Sequence, residues 1–178
     1  PLSEGADDNG ETKLSILQFF QNYELRGKNQ VLAFNSRFNL GLGILDATKN
    51  SNEPDSRFFY WRGQGQWVRE LAKNTLLVLG VDIQLSPSDL VPRERFGLGG
   101  YRSVKAYRQD TRLTDNGALG TVELRLPIPW ISGKNRLFQV VPFIDGGVAW
   151  NSDGEEVEGS KALAAAGVGL QVNLWEKI

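Results

Sequence analysis

Between Leu77 and Leu85 the chain alternates strictly. Leu77, Leu79, Val81, Ile83 and Leu85 fall on one side, and Val78, Gly80, Asp82 and Gln84 on the other, because successive strand side chains point to opposite faces. The same period returns where Val122, Leu124 and Leu126 oppose Thr121, Glu123 and Arg125; Pro127 ends that segment, having no N–H for a ladder. It returns again where Ala164, Ala166, Val168, Leu170, Val172 and Leu174 oppose the small or polar set Ala165, Gly167, Gly169, Gln171 and Asn173.

Four less regular ribbons complete the pattern. Leu17, Phe19, Tyr23 and Leu25 oppose Gln18, Phe20, Asn22, Glu24 and Arg26, while Leu32, Phe34, Phe38, Leu40 and Leu42 oppose Asn35, Arg37, Asn39, Gly41 and Gly43. These two predict a hairpin around Arg26 to Gln30. Phe59, Trp61 and Trp67 oppose Arg62, Gln64 and Gln66, and Val140, Pro142, Ile144 and Val148 oppose Val141, Phe143, Asp145 and Ala149. The pattern predicts about seven strands and no helix.

Short and long connections alternate along the chain. Turns near 27–30 and 69–74 are short, those at 46–56, 87–117 and 151–160 are long and polar, and 127–136 is intermediate. Tight turns at one end and long loops at the other are the asymmetry of an outer-membrane β-barrel, whose strands need about ten residues to cross. Trp61, Trp67, Trp130 and Trp150 lie near predicted strand ends, where interfacial aromatic girdles form. A soluble β-sandwich also alternates with period two. Long strands, an unbroken apolar face and inward Gly, Gln, Asn and Arg favour the barrel, since sandwich strands average about five or six residues.

The loop at 87–117 has no strand-like pattern, and compact domains seldom keep so long a loop idle. It contains the basic, aromatic and glycine-opened segment Arg95 to Arg108.

Composition narrows the reading further. The 178 residues contain 20 Lys plus Arg and 21 Asp plus Glu, a net charge of −1 that argues against a nucleic-acid surface. With no His and no Cys, imidazole triads, thiol nucleophiles and His or Cys metal sites are excluded within this chain, and no cofactor or catalytic residue is expected. The glycines at 97–100 lack the dinucleotide spacing and no helix follows them. The acidic run Asp153 to Glu158 lacks the ligand spacing of a calcium loop and reads as a solvated external loop. The chain starts at Pro1 and contains no Met, which reads as a segment of a longer protein.

Phe96-Gly97-Leu98-Gly99-Gly100-Tyr101-Arg102-Ser103-Val104-Lys105-Ala106-Tyr107, then Glu123-Leu124-Arg125-Leu126-Pro127, then Phe143-Ile144-Asp145-Gly146-Gly147, resemble in order and spacing the C-terminal barrel of two-partner secretion translocators. These haemolysin activation and secretion proteins belong to the wider outer-membrane insertase and translocator superfamily. The resemblance implies an all-β fold: part of an antiparallel transmembrane β-barrel, about seven strands of an expected sixteen or so, with a long loop folding inward and POTRA domains upstream of this chain. It implies a non-enzymatic translocator of the bacterial outer membrane. Its partners would be membrane lipid and an unfolded exoprotein client, and its open sheet edges would favour self-association. An outer-membrane assembly and insertion factor of the same superfamily is the alternative, and a soluble β-rich binding or adhesion module the alternative of another class.

The resemblance also implies the site. A loop motif of Gly99, Gly100, Val104, Lys105, Ala106 and Tyr107 would touch the wall at Phe143, Asp145, Gly147 and Glu123. Alternation places Glu123, Phe143 and Asp145 on the lumen side. Lysine stands where the family usually has arginine, keeping the charge and losing the planar fork. Alanine stands where it usually has glycine, and would strain a backbone at positive φ. The expectation is therefore either another tip conformation or a simple ion pair of Lys105 with Asp145 or Glu123.

Overall fold

The computed structural model describes residues 6, 10–48, 54–132, 136–157 and 159–174, with Arg136 described by its backbone alone. Residues 49–53 of the predicted connection at 46–56, residues 133–135 of that at 127–136, and Glu158 of the acidic run lie outside the described residues.

The strands run β1 (Ser15–Arg26), β2 (Gln30–Leu42), β3 (Phe59–Ala72), β4 (Thr75–Leu85), β5 (Phe96–Leu98), β6 (Arg112–Thr114), β7 (Asn116–Pro127), β8 (Arg136–Trp150) and β9 (Ala162–Leu174). Seven of them form one antiparallel sheet in the order β1-β2-β3-β4-β7-β8-β9, and β5 and β6 pair separately. Sequence neighbours pair throughout the large sheet, apart from the step from β4 to β7 across the long loop. One 3₁₀ turn, Pro92–Glu94, is the only helical element among the described residues.

Two differences from the sequence reading have clear causes. Asn116 and Gly117 belong to β7, because Gly117 pairs with Gln84 and Ala149 and Asn116 with Trp150. The loop thus spans 86–115, and a locally turn-like Asp-Asn-Gly is overridden by two neighbouring strands. Within the loop, Phe96, Gly97 and Leu98 pair with Thr114, Leu113 and Arg112. This short hairpin forms because its side chains are packed on the wall, which local alternation does not report.

The register separates the two faces. On the outward face Leu17 pairs with Leu40, Phe19 with Phe38, Trp61 with Leu85, and Val122 with Ile144, and Leu17, Phe19, Leu85, Ile144 and Leu170 are exposed. On the inward face Asn39, Tyr60, Gln84, Gln139 and Asp145 are buried. A sandwich would cover the apolar face with a second sheet; among the described residues none does so. No helix is long and apolar enough to cross a membrane, a fact that does not bear on strands.

The core lies between the loop and the inward face. Phe96, Leu98 and Val104 from the loop pack with Leu119, Ala149 and Leu163 of the wall, with Ala165 beside them. Leu90 and Val91 pack with Phe58 and Tyr60, against Leu14 and Ile16. Glycine makes the first contact possible: a Cβ on Gly117 would lie 2.1 Å from the Phe96 ring, and one on Gly147 would lie 2.6 Å from Leu98 Cδ1 and 2.8 Å from the Ala118 carbonyl oxygen.

Gly147→Val should therefore lift β5 off the wall, costing about 1–3 kcal/mol as an overpacked core site does. Faster protease cleavage within 86–115 should accompany the loss. Gly120→Ala, whose added Cβ meets nothing within 4 Å, should stay within about 0.5 kcal/mol of the parent. Denaturant unfolding and limited proteolysis check both.

Candidate functional site

The loop tip begins where the β5 and β6 pairing ends. Gly99 and Gly100 take φ of 111° and 102°, values that side chains with a Cβ rarely adopt. The turn is then closed on itself: Ser103 N–H donates to the Gly100 carbonyl (3.0 Å), Gly100 N–H to the Val104 carbonyl (3.2 Å), and Gly99 N–H to the Ser103 hydroxyl (3.1 Å). That compact turn buries Val104 and aims the next residue, Lys105, at the wall.

The wall supplies two carboxylates by simple alternation. Glu123 and Arg125 share the inward side of β7, Phe143 and Asp145 share that of β8, and Glu123 sits opposite Phe143. Asp145 pairs with Thr121 on one side and Ala165 on the other, so its strand neighbours are small and uncharged.

Lys105 enters this gap. Its Nζ lies 3.0 Å and 3.2 Å from the two oxygens of Asp145 and 3.2 Å from Glu123 Oε1. It also sits 4.5 Å from the centre of the Phe143 ring, a cation–π distance. The Lys105 backbone N–H donates to Asp145 Oδ2 at 3.3 Å, so main chain and side chain of one residue both grip the same carboxylate. Arg125 Nη2 donates to Glu123 Oε2 at 3.1 Å, and two cations thereby face two carboxylates. The Asp145 side chain has 0% exposure, against 20% for Lys105 and for Glu123.

A second polar group lies nearby on the wall. Arg62 donates from Nε and Nη2 to the two oxygens of Asp82 (3.1 and 2.8 Å), Gln64 Nε2 donates to the same carboxylate (2.9 Å), and the Arg62 guanidinium lies 5.5 Å from the Phe96 ring centre.

The expected site residues are therefore placed as follows. Gly99 and Gly100 form the tip's turn, Val104 is in the core, Lys105 meets Asp145, Glu123 and Phe143, and Gly147 faces Leu98. Ala106 is exposed and does not adopt positive φ, so the expected strain is absent and alanine is accommodated. Tyr107 is exposed, and its backbone N–H bonds to the Val104 carbonyl within the tip. Arg125 was legible as an inward residue, but its pairing with Glu123 depends on side-chain conformation and escaped the sequence reading. Among the described residues no group of three or more Asp or Glu is arranged to hold a metal ion.

The model of the haemolysin secretion/activation protein family ShlB/FhaC/HecB matches residues 8–172. The chain belongs to this family. In the three-dimensional comparison the family member is similar to CdiB from Escherichia coli, with a TM-score of 0.80 and 23% sequence identity over 92% of this chain. It spans 31% of the length of that CdiB chain. No curated protein sequence is matched. Membership of the ShlB/FhaC/HecB family, with the shared fold, makes the seven-stranded sheet part of a barrel.

For this ShlB/FhaC/HecB-family chain, the geometry at Lys105 predicts coupled energetics. Lys105→Ala leaves a buried carboxylate without its cation and should cost about 3–5 kcal/mol. Asp145→Ala should cost less, since Glu123 still holds the lysine. The double variant should be less destabilised than the sum of the two by about 0.5–3 kcal/mol. Denaturant titration of the full-length protein in detergent checks the cycle.

Proposed function

We propose that this chain builds part of the wall and the inward loop of an outer-membrane translocator that exports an unfolded exoprotein without bond chemistry. The observation that supports this reading best is the meeting of the buried Asp145 with Lys105 of the loop tip. A polar inward face lined by Asn22, Asn35, Gln64, Gln66 and Thr121, beside a cavity of roughly 600 Å³, suits an extended chain that must slide without sticking. The uncovered apolar outward face suits lipid.

In this mechanism the loop narrows the lumen at rest. The Lys105 clasp positions it there, and desolvation offsets much of the attraction between the charges, so the net holding energy is modest. Water entering as the tip moves away rehydrates Lys105, Asp145 and Glu123 and lowers the barrier to release. Arg125 stays with Glu123 throughout, leaving Asp145 as the residue that calls the tip back. No step uses a nucleophile, a proton donor or a cofactor. Isolated from its other strands, the chain exposes the ladder edges of β1 and β9 and self-associates.

Exoprotein secretion by full-length Lys105→Ala and Asp145→Ala, singly and together, tests the clasp. Each single variant should impair secretion, and the double should be no worse than the more damaging single. Independent, additive losses would refute the shared contact. Lipid exposure has its own test, the yield of heat-modifiable barrel in outer membranes. Ile144→Arg, on the outward face between Val122 and Ala166, should destabilise by about 2–4 kcal/mol if it sits near mid-bilayer. Wild-type yield would argue against lipid there.

A further inference from the structure

Three backbone segments far apart in sequence meet where the loop leaves the wall. Buried Asp115 accepts the Leu90 N–H at Oδ1 (2.8 Å) and the Ser152 N–H at Oδ2 (3.0 Å). Its neighbour Asn116 accepts the Ser86 N–H at Oδ1 (2.7 Å) and donates from Nδ2 to the Ser152 hydroxyl (2.8 Å), which in turn donates to the Ser86 carbonyl (2.9 Å). Every polar side-chain atom of Asp115 and Asn116 is thus engaged. Gln84 Nε2 bridges the Glu94 and Asp115 carbonyls at 2.9 and 3.1 Å, and the Arg95 Nε lies 3.7 Å from Asp115 Oδ1. Both limbs of the loop and the β8–β9 connection are tied into one node.

The rest of the base is equally well held. Leu90 and Val91 are sunk beside Phe58 and Tyr60, and the Tyr60 hydroxyl donates to Glu94 Oε2 at 2.6 Å. Arg112 Nε donates to the Ser160 carbonyl at 3.1 Å, fastening β6 to the β8–β9 connection.

The tip contrasts with this. It is bracketed by Gly99 and Gly100 on one side and Asp110, φ 50°, on the other. Its backbone-to-backbone bonds are internal, including Asp110 N–H to the Gly99 carbonyl and Tyr107 N–H to the Val104 carbonyl. Among the described residues its hydrogen bonds and ion pairs to the wall are those of Lys105, with Val104 as its buried apolar foothold.

We infer that Asp115 and Asn116 are positioning residues for transport: they keep the base of the loop, residues 86–98 and 112–115, fixed to the wall, so that the moving part is the tip, residues 99–111. The physical reason is the difference in what each movement breaks. Expelling the whole loop strips a buried carboxylate and a buried amide of all their partners at once, and such groups are costly to leave unpaired. Releasing the tip parts one residue, Lys105, from Asp145 and Glu123, which water reaches as the tip leaves, and uncovers one valine. The inference rests on the export reading, in that it assumes the loop moves.

The chain has no cysteine, so introduced pairs report on chosen contacts in the full-length protein. Single-channel currents in planar bilayers, with KCl as the conducted probe, are recorded on each preparation before and after tethering with a short bifunctional methanethiosulfonate, and again after dithiothreitol. Ser86→Cys with Ser152→Cys tethers the node, and Arg112→Cys with Ser160→Cys tethers the same base at its rim, should the first pair fail to fold. Lys105→Cys with Asp145→Cys tethers the tip. The base tethers should leave opening frequency within about twofold, while the tip tether lowers it at least about tenfold, reversibly. Base tethers that silence the channel as fully as the tip tether would overturn the anchoring role and leave the export reading intact. A tip tether without effect would instead overturn the moving loop, and the anchoring role with it.

Discussion

A carboxylate with no exposed surface, on a strand whose neighbours cannot neutralise it, dictates the arrangement of everything around it. Asp145 is flanked across the sheet by Thr121 and Ala165, so the compensating cation has to come from outside the sheet. Lys105 supplies it from the loop, through both its ammonium and its backbone N–H. With the loop docked but its cation missing, the wall would hold an unpaired charge in a place that water does not reach, a state worth avoiding by several kcal/mol. Wall and loop are in this sense one folded unit.

Lysine suits this particular pocket. Its ammonium is a compact charge with three donors, and here it faces two oxygens of Asp145, one of Glu123 and the ring of Phe143. A planar guanidinium matches a single carboxylate edge-on and would address such a ring of partners differently. Arg125 completes the balance by holding the second oxygen of Glu123. Glu123 therefore has a cation whether or not the tip is docked, and Asp145 depends on the tip.

The packing is inside-out relative to a water-soluble sheet protein. Large apolar side chains remain exposed on the outward face, while the buried core forms on the polar, inward face wherever the loop lies upon it. Glycines in the wall, Gly117 and Gly147, are what let aromatic and aliphatic loop residues approach the strands. A loop that lays its own apolar residues on a polar face can be seated firmly at its base and lightly at its tip, since the two parts differ in how many buried groups they tie together.

Much of this was written in the chain itself. Period-two alternation over long segments determined the strands and their two faces, because a strand's side-chain directions are a local property. Placing Glu123, Phe143 and Asp145 on one face of the sheet needed no more than that, and the family motifs pointed to the segment that contains Lys105. Tertiary structure alone decided the rest. The β5–β6 pairing, the assignment of Asn116 and Gly117 to β7, the exposed position of Tyr107 and the unstrained Ala106 all depend on how strands and loop pack together. So does the node of Asp115, Asn116 and Ser152, whose members stand up to 66 residues away from their partners. Local sequence encodes which way a strand residue points, whereas contacts between a loop and a wall are set by the closure of the chain around them.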